Sequence, residues 1–213
     1  MKYSIGYIKH NKSVNELHIG PSIENLKGEF EVITTEDNLF PAENYNQILS
    51  ECKTDYLILS HEDVTFPSNL LEKIEMTITH FPDFGCLGMV GVDESRNYHW
   101  SYVDKIVELD TLDCCFLVIN MKNRNGIKFD TETFGEYHLY VEDFCAQMKR
   151  VNKKKIYTIG GISAYEKPIL KEQTESDSMG HHSATVSQRG YCWGRYSEFR
   201  RILESKWPNI KTT

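Results

Sequence analysis

Asp55-Tyr56-Leu57-Ile58-Leu59-Ser60 runs straight into His61-Glu62-Asp63. The first part is a short, near-continuous apolar run, the pattern of a strand covered on both faces in a parallel sheet. The second part places two acids and an imidazole at that strand's carboxyl end, where open α/β sheets bind their ligands. Working outward, residues 43–53 carry Tyr45, Ile48, Leu49 and Cys52 at helical spacing. Residues 30–35 read as a strand stopped by Glu36-Asp37-Asn38, and residues 22–27 as a helix tail closed by Gly28. Residues 3–8 form a first strand ending at His10-Asn11-Lys12. Downstream, Pro67 and Ser68 start a helix over 70–80. Residues 84–92 are strand-like and glycine-rich, 107–121 hold one or two strands, 139–151 are helical, and 155–159 form a last short strand. Residues 167–190 are polar and uneven, the pattern of a mobile loop, and 196–207 form a final helix. Strands alternating with helices predict βαβ units, an α/β fold with a mostly parallel central sheet.

The chain has 213 residues, enough to bury a core without staples. At about 150 residues per domain, that length fits one domain spanning 1–213. Apolar residues make up 40% and charged ones 26%, ordinary globular usage that excludes disorder, collagen and coiled coil. With 24 Lys+Arg against 31 Asp+Glu the net charge is −7, which argues against a nucleic-acid partner, because phosphate binding needs clustered cations. None of the six cysteines forms a C-x-x-C pair, and no signal peptide opens the sequence. This reads as a reduced, cytoplasmic protein. No stretch approaches the ~18 apolar residues of a membrane span; peripheral membrane contact stays open.

Three clusters carry chemistry. His61-Glu62-Asp63 is a natural place for a divalent cation on oxygen and nitrogen ligands; solvated polar residues at a strand-to-loop junction are the alternative. Glu142 and Asp143 stand in the first turn of the 139–151 helix, away from the face made by Val141, Phe144, Cys145, Met148 and Val151. They read either as complements to the helix dipole or as a general base facing a cleft. Gly180-His181-His182-Ser183 is either surface or a flap over a metal. The chain lacks H-E-x-x-H, G-x-G-x-x-G, a P-loop and a G-x-S-x-G elbow.

Taken in order, these pieces resemble a known family. Asn44-Tyr45-Asn46-Gln47-Ile48, then 53–64, looks like its "AYN-x-G … H-x-D-V" stretch. Residues 109–117 resemble its "V-D-G-x-F" strand, and His138-Leu139-Tyr140-Val141-Glu142-Asp143-Phe144-Cys145 its "H-x-Y-x-x-D-hydrophobic-C" motif. His181-His182-Ser183 and the closing Lys206-Trp207 also fit. The family is the streptomycin-biosynthesis type of glycosyltransferase, related to glycosyltransferase family 2 and sharing the GT-A fold, a Rossmann-like three-layer sandwich. The match covers about residues 3–210.

The resemblance implies a hexosyltransferase-type enzyme using a nucleotide-sugar donor, UDP-sugar favoured, and a glycan or lipid-linked acceptor, as in polysaccharide biosynthesis. It implies Mn²⁺ or Mg²⁺ on Asp63. His61 stands where the usual D-x-D has its first Asp, and His182, or else His181, completes the site. Asp143 is the implied base, with Glu142 as alternate, in an inverting displacement. Asp37, Asn44 and Glu62 fall on the donor side. Trp100, with Tyr102 nearby, Asp113 and His138 fall on the acceptor side. Two rivals remain: a non-catalytic sugar- or nucleotide-binding module on the same scaffold, and a metal-dependent nucleotidyltransferase or hydrolase. Against the nucleotidyltransferase, the stretch after the first strand, Tyr7-Ile8-Lys9-His10-Asn11, has no glycine run.

Overall fold

The structure is a computed structural model and describes residues 1–36, 39–101, 105–135, 139–160 and 193–213. In chain order the elements are β1 (Tyr3–Lys9), α1 (Lys12–Leu17), α2 (Ile19–Asn25), β2 (Phe30–Glu36), α3 (Pro41–Glu51) and β3 (Tyr56–Ser60). Then come α4 (Leu70–His80), β4 (Phe84–Gly88), β5 (Val90–Val92), β6 (Tyr98–Trp100), β7 (Glu108–Leu109), β8 (Thr111–Leu112) and β9 (Phe116–Asn120). Helix α5 (Met121–Arg124), α6 (Tyr140–Arg150), β10 (Lys155–Thr158) and α7 (Trp193–Lys206) complete the set.

A 7-stranded sheet runs in the order β2-β1-β3-β9-β4-β10-β7. Strands β1, β2, β3, β4 and β10 point one way, and β9 and β7 run against them. The mostly parallel α/β sheet expected from the sequence is therefore present. The opening stretch forms β3, an interior strand, parallel to β1 and antiparallel to β9. Leu57 and Leu59 join the core beneath α3, α6 and α7, while Ile58 joins the core beneath α2 and α4. That alternation makes three layers, and it is why the run is apolar throughout. Each such side chain contributes about 1.5–3 kcal/mol when fully buried.

Helix α3 begins with Pro41 in its first turn, and the Glu43 carboxylate accepts from the Phe40 N–H at 3.2 Å. Its ring of buried side chains includes Tyr45, Ile48 and Leu49, the spacing read from the sequence. Helix α6 is buried from Tyr140 to Ala146, and its N-cap Leu139 sits in the left-handed region at φ 65°. A branched residue there costs on the order of 1–2 kcal/mol, repaid by burial of its side chain at 3% exposure.

Three expectations need correction. Residues 84–92 are not one strand. The chain leaves the main sheet after Gly88 and enters a second, 3-stranded sheet, β6-β5-β8. Gly91 permits this, because a Cβ there would strike the Thr111 carbonyl oxygen. Residues 107–121 hold three strands rather than one or two, divided between both sheets. Helix α1 occupies 12–17, a stretch with no buried residue and so no apolar period to read. The 167–190 segment lies outside the described residues. No helix among the described residues is long and apolar enough to cross a membrane, and the five described cysteines are free.

Candidate functional site

The carboxyl ends of β1, β2 and β3, the turn before β9 and the start of α6 meet on one side of the sheet. Register brings this about: Ser60 pairs with Phe116, and beyond the ladder the His61 N–H donates to the Cys115 carbonyl at 3.0 Å. Tyr140, the first residue of α6, lies beside them, its hydroxyl 3.2 Å from His61 Nε2.

Within the acidic run the three side chains differ in their environment. Glu62 is buried, and its carboxylate accepts from the backbone N–H groups of His10 at 3.1 Å and Asn11 at 2.7 Å. Burial pushes its pKa up, against the pull of those two amides. Its contacts thus hold the loop after β1. Asp63 is 7% exposed, and its Oδ1 is buried with no hydrogen-bond partner among the described residues. A buried carboxylate oxygen left without a partner is costly, so its presence points to a group that completes it.

Two further buried oxygens share this feature. Asn44 is wholly buried; its Nδ2 donates to the Leu39 carbonyl at 2.9 Å, and its Oδ1 has no partner. Thr35 Oγ1, at the end of β2, is also without one. Asp37 lies outside the described residues. So do His138, His181, His182 and Tyr102. Among the described residues no three His, Cys, Asp or Glu side chains group as metal ligands.

A second set of acids gathers around Cys114 and Cys115. Asp113 Oδ1 accepts from the Cys115 N–H at 2.9 Å. Burial pushes both thiols well up, with help from Asp113 at each, from Glu142 at Cys114 and from Asp63 at Cys115. Asp63, Asp113 and Glu142 therefore surround one turn. Glu142 is 5% exposed, and burial, with Asp113 and Asp143 close by, pushes its pKa up to about 8. Its Oε1 accepts from the Thr213 hydroxyl at 2.9 Å.

Asp143, one residue on, faces elsewhere. It is 0% exposed. Its Oδ1 accepts from Trp207 Nε1 at 2.6 Å and lies 2.8 Å from Lys206 Nζ, and its Oδ2 accepts from Gln147 at 2.8 Å. The closing Lys-Trp pair and the acidic helix start, singled out separately in the sequence, are thus one contact. The carboxylate that the resemblance puts first as base is held by three partners.

Trp100 and Tyr98 stand on the edge strand β6, 40% and 59% exposed, while His99 between them turns to Asp93 at 2.8 Å. Tyr140, Tyr196 and Thr213 were not singled out as site residues in the sequence. Only the position of Tyr140 inside the 138–145 motif marked it.

A family model described as Glycosyl transferase family 2 matches residues 15–172. This chain belongs to glycosyl transferase family 2. The family match places the β3 acidic run, the β9 turn and the start of α6 inside one recognised unit. No curated protein matches the sequence. Among solved structures, S. aureus TarS 1-349 in complex with UDP-GlcNAc is similar at TM-score 0.60 and 14% identity, over 100% of this chain and 68% of that one. GalNAc-T7 with UDP, GalNAc and Mn²⁺ is similar at 0.56 and 8%, over 75% of this chain and 42% of that one. A197 from STIV is similar at 0.51 and 15%, over 76% and 83%. At these identities the likeness is one of fold.

Proposed function

We propose that this family 2 chain transfers a sugar from a nucleotide-sugar, UDP-sugar favoured, to a hydroxyl of a glycan or lipid-linked acceptor, with inversion. The observation that carries the reading is the buried Oδ1 of Asp63, without a partner among the described residues, just beyond the carboxyl end of β3. That oxygen fits a divalent cation. Mn²⁺ or Mg²⁺, when bound, would supply positive charge against the donor's diphosphate. Asp63 would hold it, with His61 near and His182 or His181 as the further ligand. The UDP and Mn²⁺ in the named neighbours support the same choice.

Asn44 and Asp37 serve the nucleotide side, and Glu62 shapes that side by fixing the β1 loop. Asp113, Trp100 and His138 serve the acceptor side. In the transfer, the acceptor oxygen bonds to the anomeric carbon, the bond from that carbon to the diphosphate breaks, and a carboxylate takes the acceptor's proton. Glu142 is the better base of the two adjacent acids. Its neighbours are the site's other acids and a hydroxyl, whereas Asp143 is saturated by Lys206, Trp207 and Gln147. Asp143 is then a positioning residue that pins the end of α7 against α6.

Nucleotide release from UDP-GlcNAc, UDP-glucose, GDP-mannose and a CDP-sugar, each with Mn²⁺ or with EDTA, tests the reading. Metal-dependent release from one donor is expected, and none from any donor would remove the transferase assignment.

A further inference from the structure

The face where the parallel strands begin lies at the other end of the sheet from Asp63, and it is basic. Residues 121–128 and 149–155 hold eight Lys and Arg and no Asp or Glu, in a chain of net charge −7. The fold brings both stretches to that face. Strand β9 ends at Asn120 beside Tyr56, the first residue of β3, and α5 follows at once. Helix α6 ends at Arg150, and Lys155 opens β10 beside Phe84, the first residue of β4. Asn152 ties the two stretches together: its Nδ2 donates to the Asn123 carbonyl at 2.9 Å and to the Arg124 carbonyl at 2.7 Å. Gln147 of α6 donates to the Lys128 carbonyl at 3.2 Å.

Three of the eight cations are spent on carboxylates. Lys122, Lys128 and Lys153 are exposed, and among the described residues none has a carboxylate within ion-pair distance. Asp83, the carboxylate that Lys122 influences, is already bonded to Lys154. Arg124 donates from Nη1 to the Ile127 carbonyl at 2.6 Å, and its buried Nε has no partner among the described residues. Beside these cations Val151 holds an aliphatic side chain 61% exposed. Neither stretch contains an aromatic residue, so the face offers no ring on which nucleic-acid bases would stack.

We propose that this face docks on an anionic lipid surface, with Lys122, Lys128 and Lys153 at the phosphate headgroups and Val151 entering between them. Long lysine stems around an aliphatic side chain suit a phosphate layer over hydrocarbon. An acidic molecule with one positive face meets such a surface in a single orientation. Docked this way, the Asp63 end of β3 points away from the lipid, about 17 Å further out along that five-residue strand. Whatever enters the candidate site then arrives from the aqueous side. The inference stands independently of the transferase reading.

Co-sedimentation of the full chain with vesicles tests it, using phosphatidylcholine alone and phosphatidylcholine mixed with phosphatidylglycerol. The parent is expected on the anionic vesicles only, and less as salt shortens the reach of the charges. The triple variant Lys122→Gln, Lys128→Gln, Lys153→Gln should bind them on the order of 100-fold more weakly, with an unchanged melting temperature. Val151→Ser should bind several-fold more weakly, again with its melting temperature kept. The inference is overturned if the parent ignores anionic vesicles or binds both kinds equally, or if the triple variant binds as the parent does. It is overturned too if Val151→Ser binds vesicles as the parent does, because the face then reads charge alone, as for a soluble polyanion such as polyphosphate.

Discussion

The two edges of the central sheet are built from the same strands and treat their polar groups differently. At the amino edge they are closed off. Lys2 reaches Glu75 at 2.7 Å, the Tyr3 hydroxyl donates to the same carboxylate at 2.6 Å, and Ser4 lies between Glu31 at 2.6 Å and Thr54 at 2.7 Å. Asn123 donates to the Phe84 carbonyl at 2.8 Å. At the carboxyl edge, Thr35, Asn44 and Asp63 each bury an oxygen with no partner among the described residues, and Asn15 a nitrogen. One atom breaks the pattern, the buried Nε of Arg124 near the amino edge. Unsatisfied buried groups cost stability unless something completes them. Their concentration on one side is the reason the candidate site is proposed there.

The largest effect expected from that contrast is on Glu142. Glu142→Gln removes the proposed base while keeping its shape, and turnover should fall by about 10²–10⁴ with the melting temperature unchanged or raised. Asp143→Asn should do the reverse. Breaking a buried ion pair costs about 3–5 kcal/mol; because Lys206 is partly exposed, the lower end is expected, read as a drop in denaturation midpoint, with a smaller loss of kcat. If Asp143→Asn abolishes turnover in a fully folded chain and Glu142→Gln does not, the two roles are exchanged.

The pH dependence follows from the same residue. Glu142 has its pKa raised to about 8 from the ordinary 4.5 by burial. The folded state therefore holds a proton that the unfolded state releases. Its contribution opposes folding as pH rises from about 4.5 to about 8, so stability declines over that window. Turnover should climb over the upper part of it, as the carboxylate becomes free to accept a proton. Denaturation midpoints across pH 5–9 for the parent and Glu142→Gln check the sign, since the slope assigned to this group should vanish in the variant. Smallest is the effect at the amino edge. Glu75→Gln weakens contacts to Lys2 and Tyr3 on a half-exposed group, and should cost about 1 kcal/mol, some 2–4 °C in melting temperature for a chain this long, with kcat unaltered.

Much of the fold was legible because burial writes itself into period. The run at β3, the spacing of Tyr45, Ile48 and Leu49, and the α6 face of Val141, Phe144, Cys145 and Met148 all answer to side chains that meet the core, whereas Val151, read onto that face, caps the helix and is 61% exposed. What was not legible lacked that signal. Helix α1 buries nothing, and β5, β7 and β8 are two or three residues long, too short for alternation to show. Of the site, the acidic run and the Glu142-Asp143 pair stood out by residue type and position. Which of the pair is tied up in structural contacts did not, because one residue along a helix turns a side chain by about 100°, and the partners that hold Asp143, Trp207 and Lys206, lie more than sixty positions away.

The most direct measurement of the central claim is thermal denaturation of the parent and Asp63→Asn with UDP, in Mn²⁺ and in EDTA. A ligand held at 100 times its Kd and binding only the folded state adds about 2.7 kcal/mol, several degrees here. The account predicts that rise for the parent in Mn²⁺, little or none in EDTA, and none for Asp63→Asn in either. An equal rise in parent and variant, or one indifferent to the metal, would contradict it and take Asp63 out of the site.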